Sequence, residues 1–209
     1  MLVGRFEDLE PCGLPVGPAV NGGAMRLGTL VLLLALVTAP ACGGGGGSST
    51  GPGPSPSPLA ASFVSDQPAP GSNTVAMLQA TTNNDVVTVY VTLTDTSGVF
   101  GAAFEVAFDD TGAAYLGFTK GAAFEGGGNA PNYTVDGATN PGRIVVAVAR
   151  TNGTATNVVG TKAMLTLQFR VKQAGIYPVL IQNGVVYDNQ STPQPIPGIL
   201  WFAGAVKGV

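Results

Sequence analysis

Apolar and polar residues alternate almost strictly from about Val75 to the C-terminus, and only half-buried β-strands accept that pattern. Val87, Val89, Val91 and Leu93 alternate with Thr88, Tyr90, Thr92 and Thr94. Phe100, Ala102, Phe104, Val106 and Phe108 alternate with Gly101, Ala103, Glu105 and Ala107. Leu165, Leu167, Phe169 and Val171 alternate with Thr166, Gln168, Arg170 and Lys172, while Ile144, Val146 and Val148 form the apolar side of a run opening at Arg143. Period two places each set on one face of a strand. Further strands are expected near 75–80, 115–119, 133–135, 177–187 and 200–206. Turn formers separate the runs at Asn83-Asn84-Asp85, Thr96-Ser97-Gly98, Asp109-Asp110-Thr111-Gly112, Asn140-Pro141-Gly142, Asn152-Gly153 and Gln173-Ala174-Gly175. No stretch carries a helical face. About nine short strands at this spacing predict an all-β antiparallel sandwich with jelly-roll topology.

The N-terminal third is organised differently. Arg26, the apolar run Leu30–Val37 and the small residues Ala39-Pro40-Ala41 before Cys42 have the parts of an export signal. A bilayer span needs about 18 apolar residues, and this run is far shorter. Residues 25–42 resemble a bacterial lipoprotein signal, which implies lipidation of Cys42 and membrane attachment through it. Several acyl chains on one cysteine would anchor firmly, where a single chain binds marginally. Gly43 after the cysteine, in place of an acidic residue, implies the outer membrane or cell surface. Residues 1–24 carry Glu7, Asp8 and Glu10 where a signal needs positive charge. They read as a leader ahead of a true start at Met25, or as an unusually long N-region. Residues 43–72 are rich in Gly, Pro and Ser and read as a tether averaging about 30 Å end to end. The sandwich is assigned to residues 73–209, long enough to bury roughly two thirds of its unfolded surface without disulfides.

Composition narrows the chemistry. The chain has no His, and Cys12 and Cys42 are its only cysteines. Ser-His-Asp and Cys-His catalysis are therefore unavailable, as is a cysteine-based zinc site. Nine basic and twelve acidic residues, net −3 and unclustered, offer no basic stripe for nucleic acid. A carboxylate pair for glycoside hydrolysis would have to come from Glu105, Glu125, Asp109, Asp110, Asp136 and Asp188. Asp109 and Asp110 fit a turn better, since Asp hydrogen-bonds its local backbone, and Glu105 fits a solvated strand face. Asp109, Asp110, Asp188 and Asn189 suit calcium by donor type, but no DxDxDG loop is present. Gly126-Gly127-Gly128 leads into no helix and reads as a loop rather than a phosphate cradle. Trp201 is open between core packing and a sugar-stacking platform. No catalytic residue, metal or cofactor is assigned, and the chain is expected not to be an enzyme.

Laid out in order, these strands resemble a cohesin domain. The resemblance rests on Gly101–Asp109, on Tyr115–Gly121, on Asn132-Tyr133-Thr134 and Gly142–Ala147, on Gly160–Val171 and on Asn183–Asp188. Asp110 stands where the family usually has proline after the acidic turn. The resemblance implies a nine-stranded jelly roll related to cellulose-binding modules. It also implies a docking face, built from the third, fifth, sixth and eighth strands, for a dockerin-type protein partner. On this chain that face would show Ala103, Glu105, Ala107, Asn132, Val145 and Ala147. Direct binding of polysaccharide is the alternative, and needs Tyr90, Tyr133, Tyr187 and Trp201 to align. A structural envelope lipoprotein without a single ligand is the third reading.

Overall fold

The alternating runs fold into two facing sheets, seen in a computed structural model that describes residues 58–126, 130–151 and 153–209. The leader, the signal with Cys42, the first part of the tether and Gly127-Gly128 lie outside the described residues. Eleven strands are present among the described residues: β1 (Ala61–Ser65), β2 (Thr74–Asn83), β3 (Val86–Val99), β4 (Gly101–Phe108), β5 (Ala113–Lys120), β6 (Asn132–Asp136), β7 (Arg143–Ala149), β8 (Thr156–Val171), β9 (Gly175–Tyr187), β10 (Leu200–Phe202) and β11 (Gly204–Gly208). One sheet has the order β1-β11-β9-β4-β7-β6 and the other β10-β2-β3-β8-β5. All pairs are antiparallel except β10 with β2. The described residues contain no helix, and the fold is the expected jelly-roll sandwich.

The apolar sets read from the sequence meet between the sheets. Val87, Val89, Val91 and Leu93 of β3 and Leu165, Leu167 and Phe169 of β8 are fully buried. They face Phe104 and Val106 of β4 and Ile144, Val146 and Val148 of β7 in one continuous core. Burying a side chain of this size contributes about 1.5–3 kcal/mol, so the two central strand pairs dominate the cohesion of the fold.

Three details depart from the pattern reading. The first corrects the tether boundary: Ala61–Ser65, inside the segment assigned to the tether, is a strand paired in register with β11. Ala61 and Phe63 are buried. Two inward residues flanked by prolines are too few to register as a strand by period alone. The second concerns 200–206, which is two strands in different sheets. The chain crosses between them at Ala203-Gly204, where a Cβ on Gly204 would collide with the Val64 carbonyl. The third concerns Thr92 and Thr94, which are buried rather than solvent-facing. They alternate without interruption with Val91 and Leu93, which fill the core, so both threonines keep the outward phase and are buried on the other face of the sheet. Thr92 donates to the Ala76 carbonyl at 3.0 Å, and the Thr94 and Thr161 hydroxyls lie 3.0 Å apart.

Candidate functional site

The outward face of the six-stranded sheet is built from cross-strand rows. Ala103 of β4 lies opposite Ala147 of β7 and Val185 of β9, and Ala147 lies opposite Thr134 of β6. The next row is Gln182, Glu105, Val145 and Asp136, and the one beyond it Leu180, Ala107 and Arg143. All six residues expected on the face therefore share one surface across β4, β6 and β7. Ala103, Glu105 and Ala107 are half-buried, while Asn132, Val145 and Ala147 are exposed.

The rows are not equivalent. At the end where β4 begins, the face sinks into a depression of about 360 Å³. Its floor is Gly101, Ala103, Ala147 and Ala149, with Asn132 and Thr134 on one side and Tyr187 and Pro193 on the other. Small side chains make the floor. At Gly101 even a methyl is excluded, because a Cβ would lie 2.7 Å from the Val148 carbonyl. The depression thus takes in Ala103, Asn132 and Ala147 and leaves Glu105, Ala107 and Val145 on the adjoining flat surface.

That adjoining surface carries one charged spot. Glu105 pairs with Arg143 diagonally across β4 and β7. Hydrogen bonding from Arg143, with a further bond from Asn183, holds the Glu105 carboxyl below the usual carboxylate range. Glu105 is an ion-paired platform residue, which does not suit it as a general acid. Asp109 accepts from the Thr111 amide at 2.9 Å and its hydroxyl at 2.6 Å, so its carboxyl is also lowered. This is the turn role read from the sequence. Asp188 accepts from the Gln194 amide at 2.8 Å and the Gln190 amide at 3.2 Å, and is lowered mainly by Gln194. Asp109 follows the end of β4, whereas Asp188 follows Tyr187, which pairs with the start of β4. The length of a strand separates them, and no group of three or more metal-ligating side chains clusters among the described residues.

The aromatic residues do not form a row. Tyr90 is exposed on the opposite sheet. Tyr133 lies within hydrogen-bond distance of the Gly121 and Met164 carbonyls, at 3.0 and 2.9 Å. Trp201 packs on Phe104 with ring centroids 5.7 Å apart. Only Tyr187 borders the depression.

Sequence reasoning missed Gly101, Thr134, Ala149 and Pro193, and named Tyr187 only among the aromatics of the polysaccharide alternative. Thr134 was within reach, because it alternates in phase with Asn132. Pro193 was not: it depends on the loop that Asp188 folds back and that a Tyr187–Pro195 bridge closes.

The family model for the cohesin domain matches residues 73–204. The chain belongs to the cohesin family. The matched segment begins after β1, so this cohesin carries its first strand ahead of the region the family model recognises. Among solved structures it is similar to the second type II cohesin module of an adaptor scaffoldin from Acetivibrio cellulolyticus. That match has 9% identity and a TM-score of 0.50, covering 72% of this chain and 89% of the other. It is also similar to a non-cellulosomal cohesin from Archaeoglobus fulgidus, at 13% identity, TM-score 0.43, and coverage of 69% and 88%. A third is the third cohesin of an Acetivibrio cellulolyticus scaffoldin, solved with a dockerin, at 17% identity, TM-score 0.47, and coverage of 57% and 86%. No curated protein matches the chain.

Proposed function

We propose that this cohesin is a receptor module that captures a dockerin-type protein partner on the outward face of its six-stranded sheet. The observation that carries the reading is the depression floored by Gly101, Ala103, Ala147 and Ala149, set beside the Glu105–Arg143 pair. A small apolar recess can seat one or two anchor side chains of a partner, while the neighbouring ion pair fixes orientation. The scattered aromatics give direct polysaccharide binding no comparable support. In this reading lipidation at Cys42 displays the module on the outer membrane or cell surface, and a link to polysaccharide degradation would come through the partner.

The test is capture by a panel of immobilised dockerin modules. Ala103→Arg and Ala147→Arg each place a long cation on the floor and are expected to weaken capture at least thirtyfold, a hot-spot effect of about 2 kcal/mol or more. Melting should be unchanged, because both side chains point away from the core. Undiminished capture by both variants would reject this face. The anchor is tested separately by mass spectrometry of the mature N-terminus, where an unmodified Cys42 would reject it.

A further inference from the structure

The two sheets have four outer strands, and their free edges are treated differently. The edge of β1 is sealed: the Ala61 amide donates to the Asn84 carbonyl at 2.7 Å and the Phe63 amide to the Gln79 side chain at 2.6 Å. The β10 strand has only three residues. The β5 ladder is broken by a register shift between Tyr115 and Gly117, and the strand ends on Lys120. Such bulges and lysines are how sheets blunt an edge. The β6 strand has neither within it, although the Lys120 ammonium lies over its Tyr133 ring, 5.5 Å from the centroid. Its five residues pair with β7 without a shift, and among the described residues the backbone of Asn132–Asp136 bonds only to β7. Tyr133 and Val135, which point inward, are only half-buried, and Asn132, Thr134 and Asp136 are exposed.

We propose that β6 is a pairing edge for a second copy of this chain, joined antiparallel about a two-fold axis through Thr134. The residues themselves specify the register. Centred on Thr134, Asn132 falls opposite Asp136, Tyr133 opposite Val135, and Thr134 opposite its own copy. The cross-strand pairs are then an amide donor against the Oδ2 of a carboxylate whose Oδ1 accepts from the Ala138 and Thr139 amides, an aromatic against a β-branched residue, and two threonines. No like charges meet, and a two-fold contact requires this self-complementarity. A shift by one residue would put Asn132 and Thr134 opposite inward-facing side chains.

A five-residue edge is a small contact beside the roughly 1,200–2,000 Å² of a stable interface. Association in solution is therefore weak, and it strengthens when copies are concentrated on one surface. The dimer would set two depressions on one continuous sheet, since Asn132 and Thr134 border both the edge and the recess. The module would thereby present two docking sites together. This inference goes beyond partner capture and does not depend on it.

The test is sedimentation velocity of the unlipidated Cys42→Ser chain, under reducing conditions and up to millimolar concentration. The wild-type edge should give a concentration-dependent dimer. Thr134→Lys and Thr134→Glu each place like charges opposite one another at the axis and should weaken it about fivefold. An equimolar mixture of the two should recover association, because Lys then faces Glu. Circular dichroism of each variant separates lost pairing from lost folding. A monomer at all concentrations, or a mixture no tighter than either variant alone, would overturn the inference.

Discussion

Arg150 is the most informative position at which to perturb this domain. It follows β7, is 7% exposed, and has no carboxylate partner among the described residues. Its guanidinium donates instead to main-chain carbonyls of the connection that crosses from β5 to β6: Nη1 to Phe124 at 2.8 Å and Glu125 at 3.3 Å, and Nη2 to Gly126 at 2.8 Å. Only Nε lacks a partner. Hydrogen bonds from a charged donor contribute about 1.5–3 kcal/mol each. The two short bonds therefore amount to about 3–6 kcal/mol, and the long one adds little. Removing the buried charge and its unpaired Nε returns about 1–2 kcal/mol. Arg150→Met should thus destabilise the domain by about 2–4 kcal/mol, lowering Tm by about 5–15 °C for a chain of this size. Arg150→Lys should recover little, because a single ammonium cannot span three carbonyls as the planar fork does. Urea unfolding with an unchanged slope measures the loss, and amide exchange should quicken first over residues 121–126. A Met variant within 1 kcal/mol of wild type would refute the reasoning, and would mean that the Gly121 and Ala123 amide bonds to β8 and the burial of Ala123 and Phe124 hold the crossing in place without it.

Phe63→Ala separates a strand from a tether: as part of β1 it should cost about 3–5 kcal/mol by urea unfolding, whereas in a flexible segment it would cost nothing. Gly121→Ala should block folding or soluble expression, since a Cβ there would strike the Ala163 carbonyl; a normally folded variant would show that the crossing can shift. Glu105, Asp109, Asp136 and Asp188 all have carboxyls lowered by hydrogen bonds, from Arg143, Thr111, Thr139 and Gln194 respectively. Their contribution to stability is complete above the ordinary carboxylate range and is lost as pH falls through the lowered folded values. The urea midpoint should therefore hold from neutral pH down to about pH 5 and then decline. Asp109→Asn should flatten that decline, and an unaltered acid limb would remove Asp109 from the account.

How legible a residue was depended on how many neighbours its placement required. Burial of Val87–Leu93 or Leu165–Val171 needs only one strand and one apolar side, and period two states both. The six-residue face needed a strand order as well, which the resemblance to cohesins implied and the sheet order β9-β4-β7-β6 now shows. The depression needs more still. Gly101 must be small because the Val148 carbonyl approaches it, and Pro193 reaches the site only through a loop folded by Asp188. No local pattern encodes either fact. Thr92 and Thr94 keep the outward phase that the alternation assigns, and their burial on that face is a tertiary fact that period two does not carry.

Arg150 belongs with these illegible cases. Read in line with Ile144, Val146 and Val148, it is a cation in core phase immediately past the end of a strand. By period alone that is a violation. It becomes sensible only when the β5–β6 crossing is in place to offer its carbonyls. The crossing carries the chain from the edge of one sheet to the edge of the other and delivers β6, and with it Asn132 and Thr134, to the rim of the depression. The one buried cation of the described residues therefore acts just beyond the last amide bonds from the crossing to β8, those of Gly121 and Ala123, on the stretch that leads to the site's outer wall. Loosening it should affect partner capture through the position of β6 even though Arg150 itself lines no part of the recess.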